Sequence, residues 1–423
     1  MLRTDGNERS NTSSLLESLL QQSVKLTVPL RGLMLQQKLK QIDQDLIELL
    51  GKRIAVLAES EPPTLEEQLD NFTPLLAQAG VPEFVWQNVV ISCAAALATK
   101  SSSPTNAKPR RVTVIGGRGL MGRFFTSRLS AAGHYVNILE HDDWNNADRL
   151  LAEAELVLVC VPIECTLDVI RNAARFLAPT TALADITSIK TPIVQAMLEH
   201  HRGPVMGLHP MFGPSVKSFL SQKVVVCPGR RDEAFQWLLD LIESEGGKLV
   251  VCTPEEHDQM MVAIQAIRHF STFSLGVFLA AEGIDISRSL EFSSPIYRLE
   301  IDMVSRFFTQ SSPMYVDIMI ATEERREAIG RLATTYNQLA QLVVHKDRDT
   351  LIREFEAARS VFGEDLSCTL EESTHVINAL SALLAAREVE RKHPAVARTL
   401  RQRKIMKKEN SFFLLHPKER WSE

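Results

Sequence analysis

The sequence predicts a chain of mixed class, α/β plus all-α, in three parts: a helical N-terminal unit, a doubly wound sheet domain and a helical C-terminal domain. Three observations predict it. Apolar residues recur at helical spacing over residues 33–58, at Leu35, Leu39, Ile42, Leu46, Leu49, Leu50, Ile54 and Leu57. From Arg110, short apolar runs alternate with helical segments, the pattern of a mostly parallel sheet with crossover helices. After Thr253 the strand-like runs stop and helical patterning continues to residue 386.

Taken in order, residues 1–30 are polar and read as a disordered extension. Residues 31–99 form the helical unit; Glu61-Pro62-Pro63 ends its first helix, and two further helical patterns lie near 64–79 and 82–98. KSSSPTNAKP, residues 100–109, is a linker by composition. Residues 110–253 hold the strand candidates VTVIG, YVNIL, ELVLVC, TALADI, VMGL, KVVVC and KLVVC. Residues 254–386 are helical, with breaks near Gly283, Pro295, Pro313 and Gly363, and long enough to form an intertwined dimer. The tail, 387–423, is basic: over 387–408 nine Lys/Arg stand against two Glu, the composition of a solvated helix end.

Composition bounds the function. With 423 residues, 45% hydrophobic and 23% charged, the chain reads as an ordinary soluble protein of two or three domains. A formal charge of −5 gives no case for nucleic acid. No apolar run approaches the roughly 18 residues of a membrane span. The N-terminus carries Asp5 and Glu8 and lacks the apolar core of a secretory signal. The six cysteines include no C-x-x-C pair and read as reduced thiols of a cytoplasmic protein. No metal site is expected.

Val112–Gly122, VTVIGGRGLMG, is the most specific stretch. It reads as strand, glycine turn and helix start, with Gly117, Gly119 and Gly122 at G-x-G-x-x-G spacing. Such glycines permit a tight turn and close approach of a pyrophosphate to backbone N–H groups at a helix N-terminus. Arg118, Leu120 and Met121 complete the turn. Glu140 ends the next strand about 20 residues on, where a carboxylate bonds ribose hydroxyls and repels a 2′-phosphate. The expected cofactor is therefore NAD rather than NADP.

In a doubly wound sheet, ligands bind at the carboxyl ends of the strands. The fourth strand ends at Asp185, followed by Ser188 and Lys190, and the fifth ends in GLHPMFGP with His209 at its tip. His209 is the candidate acid–base group. The helical half adds His257, Gln265 and His269, then Arg298 and Arg306. The two arginines, eight residues apart, lie near one face of a helix and suit a carboxylate clamp; the alternative is pairing with Glu300 or Asp302.

In this order, the GGRGLMG turn, ILEHDDW, Ser188-Ile189-Lys190, GLHPMFGP, EHDQ, QAIRHF and SSPIYRLE resemble the bifunctional chorismate mutase/prephenate dehydrogenases of tyrosine biosynthesis, the T-proteins. The resemblance spans residues 33–385, specific over 110–310 and weak over 33–98. It implies oxidative decarboxylation of prephenate: hydride leaves C4 for NAD+, CO2 leaves C1, and the product is 4-hydroxyphenylpyruvate. By resemblance His209 accepts the C4 hydroxyl proton, so activity should fall as it protonates near about pH 6–7. Ser188 would hold His209 and the hydroxyl in line. Arg306 matches an arginine that binds a substrate carboxylate, with Arg298 in support. Lys190, His257, Gln265 and His269 match other residues of the substrate side, His269 equally a packing or feedback-site residue. The implied partners are prephenate, a second copy in a homodimer, and tyrosine as a feedback inhibitor; arogenate stays open as a sister substrate.

The N-terminal unit would then be chorismate-mutase-like. That chemistry is a rearrangement of a dianion and needs a cationic pocket. The family supplies an Arg early in the first helix, a Lys-Arg pair, a later Lys, and an Arg-Glu on the second helix. Here Lys52-Arg53 is present, the first Arg position is Gln36, and the segment for the later Lys is too short. Between Arg53 and Lys100 there is no Lys or Arg, while Glu59, Glu61, Glu66, Glu67, Asp70 and Glu83 crowd the stretch. The expectation is that mutase activity is lost or very weak, unless cations come from a partner chain, for example Arg31, Lys38 or Lys40.

Overall fold

The structure, a computed structural model, describes residues 9–59, 63–70, 72–98, 108–363 and 366–392. Residues 1–8, most of the expected linker and the tail from residue 393 lie outside the described residues. The chain divides at Ser103–Pro104 into two units.

Among the described residues the N-terminal unit has four helices: α1 (Arg9–Ala58), α2 (Leu65–Leu69), α3 (Thr73–Ala79) and α4 (Glu83–Leu97). The helix of residues 33–58 begins earlier than expected. The backbone is helical from Arg9, where a disordered extension was predicted; Leu, Glu and Gln in LLESLLQQ are strong helix formers. Thr64 and Glu67 form a reciprocal capping box that starts α2. Val90 and Cys93 of α4 are buried with Leu57 of α1. The rest of the α1 stripe is not covered: Leu35, Leu39, Ile42, Leu46 and Leu49 are 50–68% exposed.

The second unit opens with the sheet domain. Its strands are β1 (Arg111–Ile115), β2 (Tyr135–Leu139), β3 (Leu156–Val159), β4 (Ala182–Asp185), β5 (Val205–Pro210), β6 (Lys223–Arg230) and β7 (Lys248–Val251), in spatial order β2-β1-β3-β4-β5-β6-β7. Pairing is parallel except between β5 and β6. The crossover helices are α5 (Leu120–Ala131), α6 (Ala147–Ala152), α7 (Ile163–Ala174), α8 (Thr191–His200) and α9 (Gln236–Ser244). Successive strand residues point to opposite faces. Val157, Val159 and Leu183 meet Leu151, Ile170 and Met197 of α6, α7 and α8 on one face. Val114, Leu158 and Leu208 meet Phe125, Leu129 and Leu238 of α5 and α9 on the other. Burial on both faces is why these strands read as continuous apolar runs. The order of strands reverses between β1 and β3, which opens a crevice at their carboxyl ends.

The helical domain follows: α10 (Pro254–Met261), a π-helical turn (Val262–Ile267), α11 (Arg268–Ala281), α12 (Ile286–Glu291), α13 (Pro295–Phe308), α14 (Ser312–Ile320), α15 (Glu323–Val344), α16 (Arg348–Phe362) and α17 (Leu366–Lys392). Pro295 and Pro313 break the pattern by starting helices, at the first turns of α13 and α14. Pro254–Ala281 is a 28-residue helical run with a mean hydropathy of 1.3 over its most apolar window, long and apolar enough to span a membrane. Its Met, Val, Ala, Ile, Phe and Leu residues keep that average high, while Gln265, Arg268 and His269 interrupt the apolar run. The same run sends His257, Asp258 and Gln265 to the tips of the sheet.

Candidate active site

The glycine turn follows β1 directly. Gly116 adopts φ +78°, and a Cβ there would meet the Cys160 carbonyl at 2.5 Å. A Cβ on Gly122 would meet the Gly116 carbonyl oxygen at 2.2 Å, so α5 starts hard against the turn. Gly119 caps α5 with no side-chain bond to the first N–H groups, which leaves them to an anion. Gly116, outside the predicted triplet, is therefore the residue that makes the tight turn. Glu140 is buried, and its Oε1 accepts the Arg118 N–H at 2.7 Å. The acid predicted to meet the ribose is thus tied to the turn predicted to meet the pyrophosphate.

His209 closes β5 and is 4% exposed. Its Nδ1 lies 2.7 Å from Nε2 of His257 on α10, and its Nε2 lies 3.2 Å from Nε2 of Gln265 in the π turn. His257 Nδ1 bonds Asp258 at 2.8 Å. The Asp258 carboxylate also accepts the N–H groups of Lys190 and Thr191 at the start of α8, both at 2.8 Å. A π turn carries an extra residue and often marks a functional position; here it aims Gln265 at His209. Burial first, then the neighbouring His257, Lys190 and Arg325, push the His209 pKa well below 6.5, with Asp258 opposing. This corrects the expected loss of activity near pH 6–7: His209 stays neutral to lower pH.

The neighbouring strand tip is held from within. Lys190 is fully buried, and its Nζ pairs with Asp185 at the end of β4. Burial lowers the Lys190 pKa, and Asp185 opposes that. The ammonium predicted to face substrate is therefore committed to a structural ion pair. Ser188 is buried too, and its carbonyl accepts Arg325 Nη2 at 2.9 Å, while Nη1 of the same arginine bonds the Ile318 carbonyl at 2.8 Å. Contacts to the His209 ring come from His257 and Gln265.

Arg298 and Arg306 both lie on α13. Arg306 is exposed and reaches Ser215, in the loop after β5, with Nη2 2.5 Å from Oγ. Arg298 sits 3.7 Å from Asp302, the pairing held as the alternative. His269 on α11 is buried with its ring 4.7 Å from that of Tyr315, and Nδ1 has no partner. Burial, then Arg268 and Arg325, lower its pKa to about 4. Buried atoms without partners also include Gln265 Oε1, Arg325 Nε, Arg298 Nε and Asp185 Oδ1. Such atoms are rare in native proteins, and Arg53 Nη1 and Trp86 Nε1 of the N-terminal unit are two more.

Sequence reasoning missed Arg325, Asp258 as an acceptor, and Ser215. Arg325 sits in EERRE, which looks like a solvated helix start. Asp258 was visible only as a neighbour of His257.

In the N-terminal unit, Lys52 pairs with Glu48 at 2.7 Å on the surface. Arg53 donates to Gln68 Oε1 at 2.7 Å and lies over the Trp86 ring at 5.5 Å. A groove of about 510 Å³ between α1 and α4 is lined by Leu50, Ile54, Phe84, Val85, Asn88, Val89, Ser92 and Cys93, with no charged side chain among the described residues.

A glycine turn at the switch point of a doubly wound sheet, with a neutral imidazole at a nearby strand tip, defines a nucleotide-dependent oxidoreductase site. Residues 131–251 match the nucleotide-binding domain of prephenate dehydrogenase, and residues 253–357 match its dimerization domain. The T-protein of Enterobacter agglomerans is 36% identical over 361 residues, 82% of this chain and 96% of that one. The T-protein of Haemophilus influenzae is 38% identical over 278 residues, 66% of this chain and 74% of that one. Among solved structures, prephenate dehydrogenase from Aquifex aeolicus, in complex with hydroxyphenyl propionate and NAD+, aligns over 60% of this chain and 98% of that one, at 17% identity and a TM-score of 0.49. The chain belongs to the prephenate dehydrogenase family.

Proposed function

We propose that the chain oxidises and decarboxylates prephenate with NAD+, and that His209 is its acid–base residue. The observation that carries this is the neutral, buried imidazole at the tip of β5, in the same sheet whose β1 runs into the glycine turn. The turn and the uncapped start of α5 fit a dinucleotide; the Glu140 carboxylate favours ribose hydroxyls over a 2′-phosphate. When bound, the nicotinamide supplies a hydride acceptor. His209 Nε2 takes the C4 hydroxyl proton as that oxygen gains carbonyl character. The C1–carboxylate bond breaks, its electron pair enters the ring, and the resulting phenolate oxygen takes the proton back. No net proton is released, so His209 lends and recovers one each turnover. Ser188 positions the strand tip through Arg325.

Arg306 binds a substrate carboxylate, exchanging its bond to Ser215 for one to the ligand, with Arg298 beside it. Gln265 and His269 present unpartnered polar atoms to the same substrate. Tyrosine shares the product's hydroxyphenyl group and would compete there. The chain pairs with a second copy through its C-terminal helices, where Val277, Phe278, Phe292 and Ile296 are 48–76% exposed.

The N-terminal unit has lost mutase activity and serves as an assembly module. Lys52 and, through Nη2, Arg53 are bonded within the unit, and among the described residues its groove has no charge to hold a dianion. The test is NADH formation by purified protein with NAD+ and either prephenate or chorismate. Turnover with prephenate alone is expected. Turnover with chorismate would overturn the loss of mutase activity, and inactivity with prephenate would overturn the dehydrogenase reading.

A further inference from the structure

Three side chains form one line into the site: His209 Nε2 faces the substrate side, His209 Nδ1 meets His257 Nε2, and His257 Nδ1 meets Asp258. His209 and His257 lie 48 residues apart and come from different layers of the unit. The far end fixes the protons. Burial alone would raise the Asp258 pKa, but hydrogen bonds from His257, Thr191 and Lys190 outweigh it and hold the carboxyl at about 2. An ionised carboxylate only accepts, so His257 Nδ1 carries a proton. A neutral His257 then has a bare Nε2, which must accept from His209 Nδ1. His209 is left with its lone pair on Nε2, the nitrogen that faces Gln265 and the substrate.

We infer that His257 and Asp258 are a paired positioning device that fixes the tautomer of His209 and draws positive charge away from the reacting oxygen. This rests on the proposed role of His209. When Nε2 takes the hydroxyl proton, Nδ1–H can pass to His257 Nε2, and the charge comes to rest beside the Asp258 carboxylate. The reverse shift returns the proton to the phenolate, so protons and charge balance over the cycle. The same carboxylate accepts the two N–H groups at the start of α8, so the orientation of the base and the position of the Lys190 strand tip depend on one anion. The titratable and charged groups facing His209 are His257 and Asp258 on α10, Lys190 after β4, and Arg325 on α15.

The first readout needs no turnover: histidine nitrogen NMR on the full-length protein at neutral pH. The expected result is a proton on Nδ1 of His209; a proton on Nε2 would overturn the inference whatever the activity. In Asp258→Asn the amide can donate to His257, the line reverses, and the His209 proton moves to Nε2. Its kcat should fall on the order of 10²–10⁴-fold, with KM changed by less than about threefold. If that variant fails to fold, His257 decides. His257→Gln keeps an acceptor for Nδ1–H and should retain kcat within about tenfold, whereas His257→Leu should lose about 10²-fold or more. Equal activity of Gln and Leu variants would overturn the inference. An inactive wild type with the proton on Nδ1 would instead overturn the substrate reading and leave the relay standing.

Discussion

Lys190 has no exposed surface and is bonded to Asp185, whereas Lys52 of the N-terminal unit is 66% exposed and pairs with Glu48 one turn away. Arg325 is fully buried with two carbonyl partners, whereas Arg53 stacks on Trp86 and bonds Gln68. Around the strand tips, cations are held from several elements and the imidazoles between them are desolvated. In the N-terminal unit the same residue types are tied up locally, beside an apolar groove and an exposed apolar stripe. The difference is what a maintained reaction site requires: buried charge is expensive and persists where other elements satisfy it.

The sharpest way to break this contrast is at the base itself. His209→Asn is expected to cut kcat by about 10²–10⁴-fold with little change in KM; full turnover would remove His209 from the chemistry. Next is the ion pair. Lys190→Met strands the Asp185 carboxylate and should cost about 3–5 kcal/mol in urea unfolding, while Lys52→Met should cost about 0–1 kcal/mol. Equal costs would erase the distinction between the two units. Arg306→Ala should raise KM about 10- to 100-fold and leave kcat nearly intact, because the carboxylate is bound alike in ground and transition states.

The gentlest effect per unit change of condition is in pH. The folded pKa of His269 lies at about 4, below the unfolded 6.5, so the unfolded chain binds a proton first as pH falls. Stability is therefore lost between those values, by up to about 1.4 kcal/mol per pH unit. His269→Phe should flatten that slope in denaturation series at pH 4 to 6.5; an unchanged slope would mean the ring is not held neutral.

The strands were legible because burial on both faces writes each as an apolar run, and all seven runs became strands. Gly119 and Gly122 were legible because backbone approach excludes a side chain there. The turn at Gly116 was not, since the Cys160 carbonyl that a Cβ there would meet comes from just beyond another strand. The relay was illegible for a similar reason: no periodicity links a strand tip to a helix 48 residues later. Arg325 was hidden because its burial comes from packing around Ser188 and Ile318, while its own segment is among the most charged in the chain.

The π turn at Val262–Ile267 has a reach beyond Gln265. One extra residue in a turn rotates everything after it by about 100° relative to an uninterrupted α-helix. The direction of His269 toward Tyr315, and of Val277 and Phe278 toward solvent, is set by that one residue. The phase of this exposed apolar face and the phase of Gln265 toward His209 thus share a single origin. A change of length there would turn both together, so neither surface can drift in register without the other.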